Sequence, residues 1–135
     1  MAGRSTMIAA QVVAEALALA ACPPFDRLTE TELLLVASHA RRFEYEPGET
    51  VLAGGAVAQR LVAVVGGSVV VEGRQAPAVF DAPSALFGLP TRADYIAGGR
   101  GAQVLCLARP HLFTIARECP DFVVGLAAIR AGADA

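Results

Sequence analysis

The sequence predicts a mainly β fold, a double-stranded β-helix or jelly roll flanked by N-terminal and C-terminal α-helices, in one domain. Three observations predict it. Between Phe43 and Val71 short apolar runs alternate with Pro47-Gly48, Gly54-Gly55 and Gly66-Gly67, residues that supply the φ values tight reversals need. On either side of the β region, apolar residues recur at helical spacing. The 135 residues, 55% of them hydrophobic and 18% charged, with a mean hydropathy of +0.51, have the composition of a well-cored globule rather than a disordered tail. The expected divisions are N-terminal helices over 1–42, the roll over 43–108 and C-terminal helices over 109–135.

The first element has two readings. Arg4, then an apolar run ending Leu19-Ala20-Ala21-Cys22, has the outline of a lipoprotein signal with its lipidated cysteine. Gln11 and Glu15 argue instead for a docking helix, because they fall four apart on one side while Ile8, Val12, Ala16 and Leu19 share the other. The stretch is too broken to span a membrane. Next, Pro23-Pro24 stops the helix, Phe25 serves as an aromatic anchor, and Thr29 with Glu32 has capping-box spacing that makes Thr29 the N-cap of a second helix. Leu33, Leu34, Val36 and Ala37 cover its core face, and Arg41 with Arg42 is expected at its C-terminal end, where the dipole favours cations.

From Phe43 strands continue through Val79-Phe80 and return at Tyr95 to Ala97 and Ala102 to Leu107. The string Gly98-Gly99-Arg100-Gly101 between the last two lacks the strand-before, helix-after context of a phosphate cradle, so it reads as a hairpin turn. Pro110 suits a first helical turn, with the helix running to Glu118; Pro120 and Asp121 open a last helix along Phe122, Val123, Leu126 and Ile129.

Pro47-Gly48-Glu49, a strand, a Gly-rich turn, an apolar strand, Gly66-Gly67 and a Val-rich strand together resemble the first half of the cyclic-nucleotide-binding superfamily, typified by the catabolite activator protein. The order helix, roll, two helices is similar as well, over residues 23–130. The resemblance implies a phosphate-binding cassette, in which Phe-Gly-Glu leads into a short helix and a Pro-Arg. Helix N–H groups and the Arg fork hold the cyclic phosphate, and the Glu accepts from the ribose hydroxyl. Ala82-Pro83-Ser84-Ala85-Leu86-Phe87-Gly88-Leu89-Pro90-Thr91-Arg92 departs from it. Read from Phe87-Gly88, Leu89 replaces the Glu, the short helix is missing and Arg92 follows at once. Counting back from the strand Val104–Leu107 keeps Arg92 near the arginine position. Aligning Pro90 instead puts Thr91 there and Ala82 at the glutamate. Every register loses the Glu. Gly88, Leu89, Thr91 and Arg92 are therefore the candidate ligand-binding residues, and cAMP and cGMP are expected to bind weakly or not at all.

Other chemistry is disfavoured by spacing. The 11 arginines, scattered from Arg4 to Arg130 against 13 acids for a net charge of −2, form no basic stripe for nucleic acid. His39 and His111 stand in separate helical segments with no partner ligand, which argues against a metal site. Cys106 on an apolar strand and Cys119 before a proline read as buried structural thiols. Three cysteines suit a reducing cytoplasm. No catalytic residue, metal or cofactor is expected, and the ligand, if the pocket takes one, is a nucleotide or another small anion. Two roles follow. One is a non-catalytic sensor belonging to a larger bacterial signal-transduction protein. The other is a dimerisation or protein-interaction module with a vestigial pocket, whose apolar helices Met7–Leu19 and Phe122–Ile129 make a homodimer or dock on neighbouring domains. The family's usual output domains are not among these residues, so the chain is a fragment or acts in trans.

Overall fold

One long antiparallel pair carries the architecture. The computed structural model describes residues 2–127, in the order α1 (Ala2–Ala20), a 3-10 turn (Phe25–Arg27), α2 (Glu30–His39), β1 (Arg41–Tyr45), β2 (Thr50–Leu52), β3 (Arg60–Val71), β4 (Arg74–Gln75), β5 (Val79–Phe80), α3 (Ala82–Phe87), β6 (Tyr95–Ala108), α4 (Arg109–Glu118) and α5 (Pro120–Ala127). β3 pairs along β6 from Arg60↔Ala108 to Val71↔Tyr95. β1 lies on the other edge of β6, from Arg41↔Cys106 to Tyr45↔Ala102, and β2 continues that edge at Thr50↔Ile96. β4 and β5 both pair with β3, completing a six-stranded sheet that is rolled rather than flat. The mainly β roll with flanking helices is thus the fold the sequence predicts.

Two expected turns are corrected. Gly66-Gly67 does not reverse the chain, and Gly98 to Gly101 make no hairpin; both strings lie inside continuous strands. They meet across the ladder, Gly66 opposite Gln103 and Gly67 opposite Ala102, between register shifts at Val64/Gly66 and Gly67/Val69. A Cβ on Gly67, whose φ is +68, would strike the Gly101 carbonyl, and one on Gly98 would strike the Ser68 hydroxyl. The glycines therefore permit close backbone approach at a bulge, where the ribbon coils sharply enough to close into a roll.

The two-residue period of the strands then builds two cores. Leu61, Ala63, Leu105 and Leu107 face the helices. Val62, Val69, Val71, Val104 and Cys106 face the interior of the roll with Phe80 and Tyr95. Burial on both faces explains why these strands read as near-continuous apolar runs, in which periodicity alone gives no facing direction.

The helices follow their capping signals. Thr29 Oγ1 accepts from the Glu32 amide at 3.2 Å, and the Glu32 carboxylate accepts from the Thr29 amide at 2.8 Å, closing the capping box. Phe25 is buried against Phe122, ring centroids 5.0 Å apart, so the anchor after Pro24 docks on α5. Val36 and Ala37 are buried and Leu33 with Leu34 packs beside them. Pro110 and Pro120 sit in the first turns of α4 and α5, and Phe122 and Leu126 are buried; Ile129 lies outside the described residues. Arg41 and Arg42 are not at the end of α2: Ala40 is already extended, and both arginines open β1, so the roll begins two residues earlier than expected.

In α1 Ala16 and Leu19 are buried and Val12 packs on them, as a docking helix requires; of Ile8 only the backbone is described. Glu15 is buried and takes a 3.5 Å bond from the Gln11 amide, while Val13 and Leu17 are exposed. Cys22 is also buried, its thiol 3.6 Å from the carbonyls of Ala18 and Val64. Among the described residues no helix is long and apolar enough to cross a membrane.

Two stability measurements check this account. Thr29→Ala removes one capping acceptor and is expected to cost about 1 kcal/mol in urea unfolding. Gly67→Ala combines a positive φ with a backbone collision and is expected to cost more than ~1 kcal/mol, whereas Gly99→Ala, where a Cβ meets nothing within 4 Å, stays near the glycine-to-alanine propensity difference.

Candidate functional site

The cassette region starts from β5 and ends at Arg92. Phe80 and Asp81 lead into α3, so the short helix expected to be missing is present upstream of Phe87-Gly88. Its signals were in the sequence: Pro83 in the first turn and Gly88 beyond the last, the usual helix start and stop. Gly88, with φ +70, donates its amide to the Ser84 carbonyl and so ends the helix where the Phe87-Gly88 register would begin it.

Asp81 is the residue that the sequence reading passed over. It caps α3 in the left-handed region, φ 50, and is 3% exposed. Its Oδ2 accepts from the Tyr95 hydroxyl at 3.1 Å, and Tyr95 stacks on Phe80 with centroids 4.3 Å apart. Burial pushes the Asp81 carboxyl above its ordinary 3.8, against the Tyr95 bond and the Arg92 charge, which pull it down. Pro83 has no N–H, and the Ser84 amide is taken up by the Asp81 carbonyl at 3.1 Å. The Ser84 hydroxyl is occupied as well, accepting from the Ala58 amide at 2.8 Å.

The four candidate residues are placed differently from one another. Leu89 and Arg92 are exposed. Thr91 is buried and works as a fastener: its hydroxyl donates to the Ala53 carbonyl at 2.5 Å, its amide to the Ala56 carbonyl at 2.9 Å, and its own carbonyl accepts from Gly55 at 2.8 Å. Thr91 also lines a cleft of about 220 Å³ bounded by Val51–Ala53 and Ala56–Arg60; Gly88, Leu89 and Arg92 do not line it.

Cys106 and Cys119 are both buried, with thiols pushed up to about 11, chiefly by burial; Cys119 also donates to the Glu32 carboxylate at 2.8 Å. Thiols held protonated at neutral pH are poor nucleophiles. His39 and His111, distant in sequence, stack at 4.2 Å where α2 ends and α4 begins. Among the described residues no group of three or more His, Cys, Asp or Glu side chains is arranged to hold a metal.

Asp81 yields a pH prediction. Because its folded-state pKa lies above the ordinary 3.8, the folded protein keeps this proton to higher pH than the unfolded chain. Stability is therefore lost as pH rises from about 3.8 through the folded-state value, and stays lost above it. Asp81→Asn tolerates the left-handed backbone and still accepts from Tyr95. Urea unfolding across pH should show it more stable than the parent near neutrality, with the advantage vanishing in acid; a pH-independent difference would contradict this origin.

No protein-family model matches the sequence, and neither does any curated protein. Solved structures do. The regulatory domain of Toxoplasma gondii PKA with cAMP superposes with a TM-score of 0.69 at 20% identity, covering 84% of this chain and 48% of that one. Thermus thermophilus catabolite activator protein gives 0.65 at 24% identity, covering 77% and 54%. The regulatory subunit of a cAMP-independent protein kinase A from Trypanosoma cruzi, bound to guanosine, gives 0.68 at 20%, covering 87% and 46%. The chain spans about half the length of these proteins. The protein kinase A matches are regulatory parts of that kinase. With the six-stranded roll, the short helix after β5 and the paired C-terminal helices, the chain has the fold of the cyclic-nucleotide-binding superfamily.

Proposed function

We propose that the chain is a non-catalytic regulatory domain of the cyclic-nucleotide-binding type, part of a bacterial signal-transduction protein, whose cassette does not hold cAMP or cGMP in the usual way. The carrying observation is the entrance to α3. In the register with Ala82 at the glutamate, Phe80-Asp81-Ala82 takes the part of Phe-Gly-Glu, and the start of α3 at Ala82 supports that register. Alanine cannot accept from a ribose hydroxyl; losing a charged acceptor costs about 1.5–3 kcal/mol, or roughly ten- to more than a hundredfold in affinity. Asp81 adds a buried carboxyl at the entrance to α3, unfavourable to an anion bound there, and Pro83 and Ser84 supply no free amide at that entrance. Arg92 remains exposed and within electrostatic reach of Asp81, the one cation the cassette keeps. An altered nucleotide or a nucleoside meets less repulsion, and the likeness to a regulatory subunit bound to guanosine supports that class.

Calorimetric titration tests it. cAMP and cGMP are expected to show no low-micromolar binding, and Arg92→Ala to change nothing. Low-micromolar binding abolished by Arg92→Ala overturns the proposal.

The interaction-module reading draws on a different observation. Val13 and Leu17, one turn apart on α1, are 49% and 70% exposed, and Val124 on α5 is 63% exposed. A homodimer or a neighbouring domain covering α1 would bury that stripe. Light scattering after size exclusion is expected to show a dimer that Leu17→Glu converts to monomer. A monomeric parent would remove this reading.

A further inference from the structure

The cleft beside Thr91 contains an arginine that the cassette does not use. Arg60, first residue of β3, is half-buried and lines it. One guanidinium nitrogen donates to the Tyr45 hydroxyl at 3.2 Å, and the group lies over the Phe43 ring, 4.3 Å from its centroid. Among the described residues no carboxylate pairs with it. The aromatic ring covers one face and the phenol fixes the plane, so the fork is oriented before anything binds and its remaining N–H groups are left for a partner. A partly desolvated cation without a counter-charge favours an anion.

The walls narrow the class of anion. Val51, Leu52, Ala56 and Val57 make the cleft apolar apart from Gln59, Thr91 and the arginine. About 220 Å³ is below the ~300–1,000 Å³ of pockets that take drug-sized ligands. A carboxylate matches the planar fork with two parallel bonds and leaves an alkyl chain for the apolar wall. A phosphate would turn charged oxygens towards that wall without partners. We propose that the Arg60 cleft is a binding site for short aliphatic monocarboxylates, one that shares only Thr91 with the cassette region and is independent of whether the cassette binds a nucleotide.

The test is an NMR titration of the full chain with sodium butyrate at constant ionic strength, with butyramide and sodium phosphate as comparison probes. Butyrate is expected to shift the amides of residues 51–60 and Thr91 saturably, and butyramide to leave them unmoved. Arg60→Ala should weaken butyrate at least tenfold, and Arg60→Lys, which keeps charge but loses the fork, should fall between. Val57→Trp fills the cleft with Arg60 intact and should abolish binding, which keeps the test sound if Arg60→Ala does not fold. Arg92→Ala should leave butyrate binding unchanged, so a failure here is distinguishable from a failure of the cassette reading. Non-saturable shifts, equal affinity in Arg60→Ala, or phosphate binding as tightly as butyrate would overturn the assignment.

Discussion

The antiparallel ladder between Arg60–Val71 and Tyr95–Ala108 is the constraint on which the rest of the molecule depends. A flat pair of this length would expose one face and leave both edges open. Here Gly67, set against the Gly101 carbonyl, lets the two backbones approach, the register shifts coil the ribbon, and β1, β2, β4 and β5 find edges at positions the coil dictates. Inside and outside of the roll both become core, which is why Val62 and Ala63, adjacent in sequence, belong to different hydrophobic clusters.

The cassette inherits its geometry from this ladder. Tyr95 opens β6 and reaches Asp81, while Phe80 closes β5 on β3 and stacks on Tyr95. The entrance to α3 is thus clamped from both long strands. A buried carboxyl therefore stands at the entrance to α3. Arg109, which donates to the Ala85 carbonyl at 2.9 Å, links the end of α3 directly to the start of α4.

The parts of the fold set by local chemistry were legible in the sequence. Thr29 and Glu32 form their capping box because both partners lie within one turn, and Phe25 anchors because it follows two prolines that end α1. Pro110 and Pro120 mark helix starts for the same reason. The glycine strings were misread as turns because a turn and a bulge need the same residues, and the difference is whether another strand lies across from them. Glu15 was set on the side of α1 opposite the apolar residues, yet helix packing buries it. At the candidate site, Gly88, Leu89, Thr91 and Arg92 were named by resemblance, but Asp81 was not, since its contact is with Tyr95 fourteen residues later.

By itself the sequence determined the mainly β class, its helical flanks and the capped or proline-marked starts of α2, α4 and α5, because these rest on backbone preferences and on which side chains exist. Only the tertiary structure decided the facing of each strand residue, the start of α3, the burial of Asp81 and the meeting of Arg60 with Phe43 and Tyr45. Those outcomes are fixed by long-range pairing, whose register is set by coiling and packing of the whole roll rather than by any window of neighbouring residues.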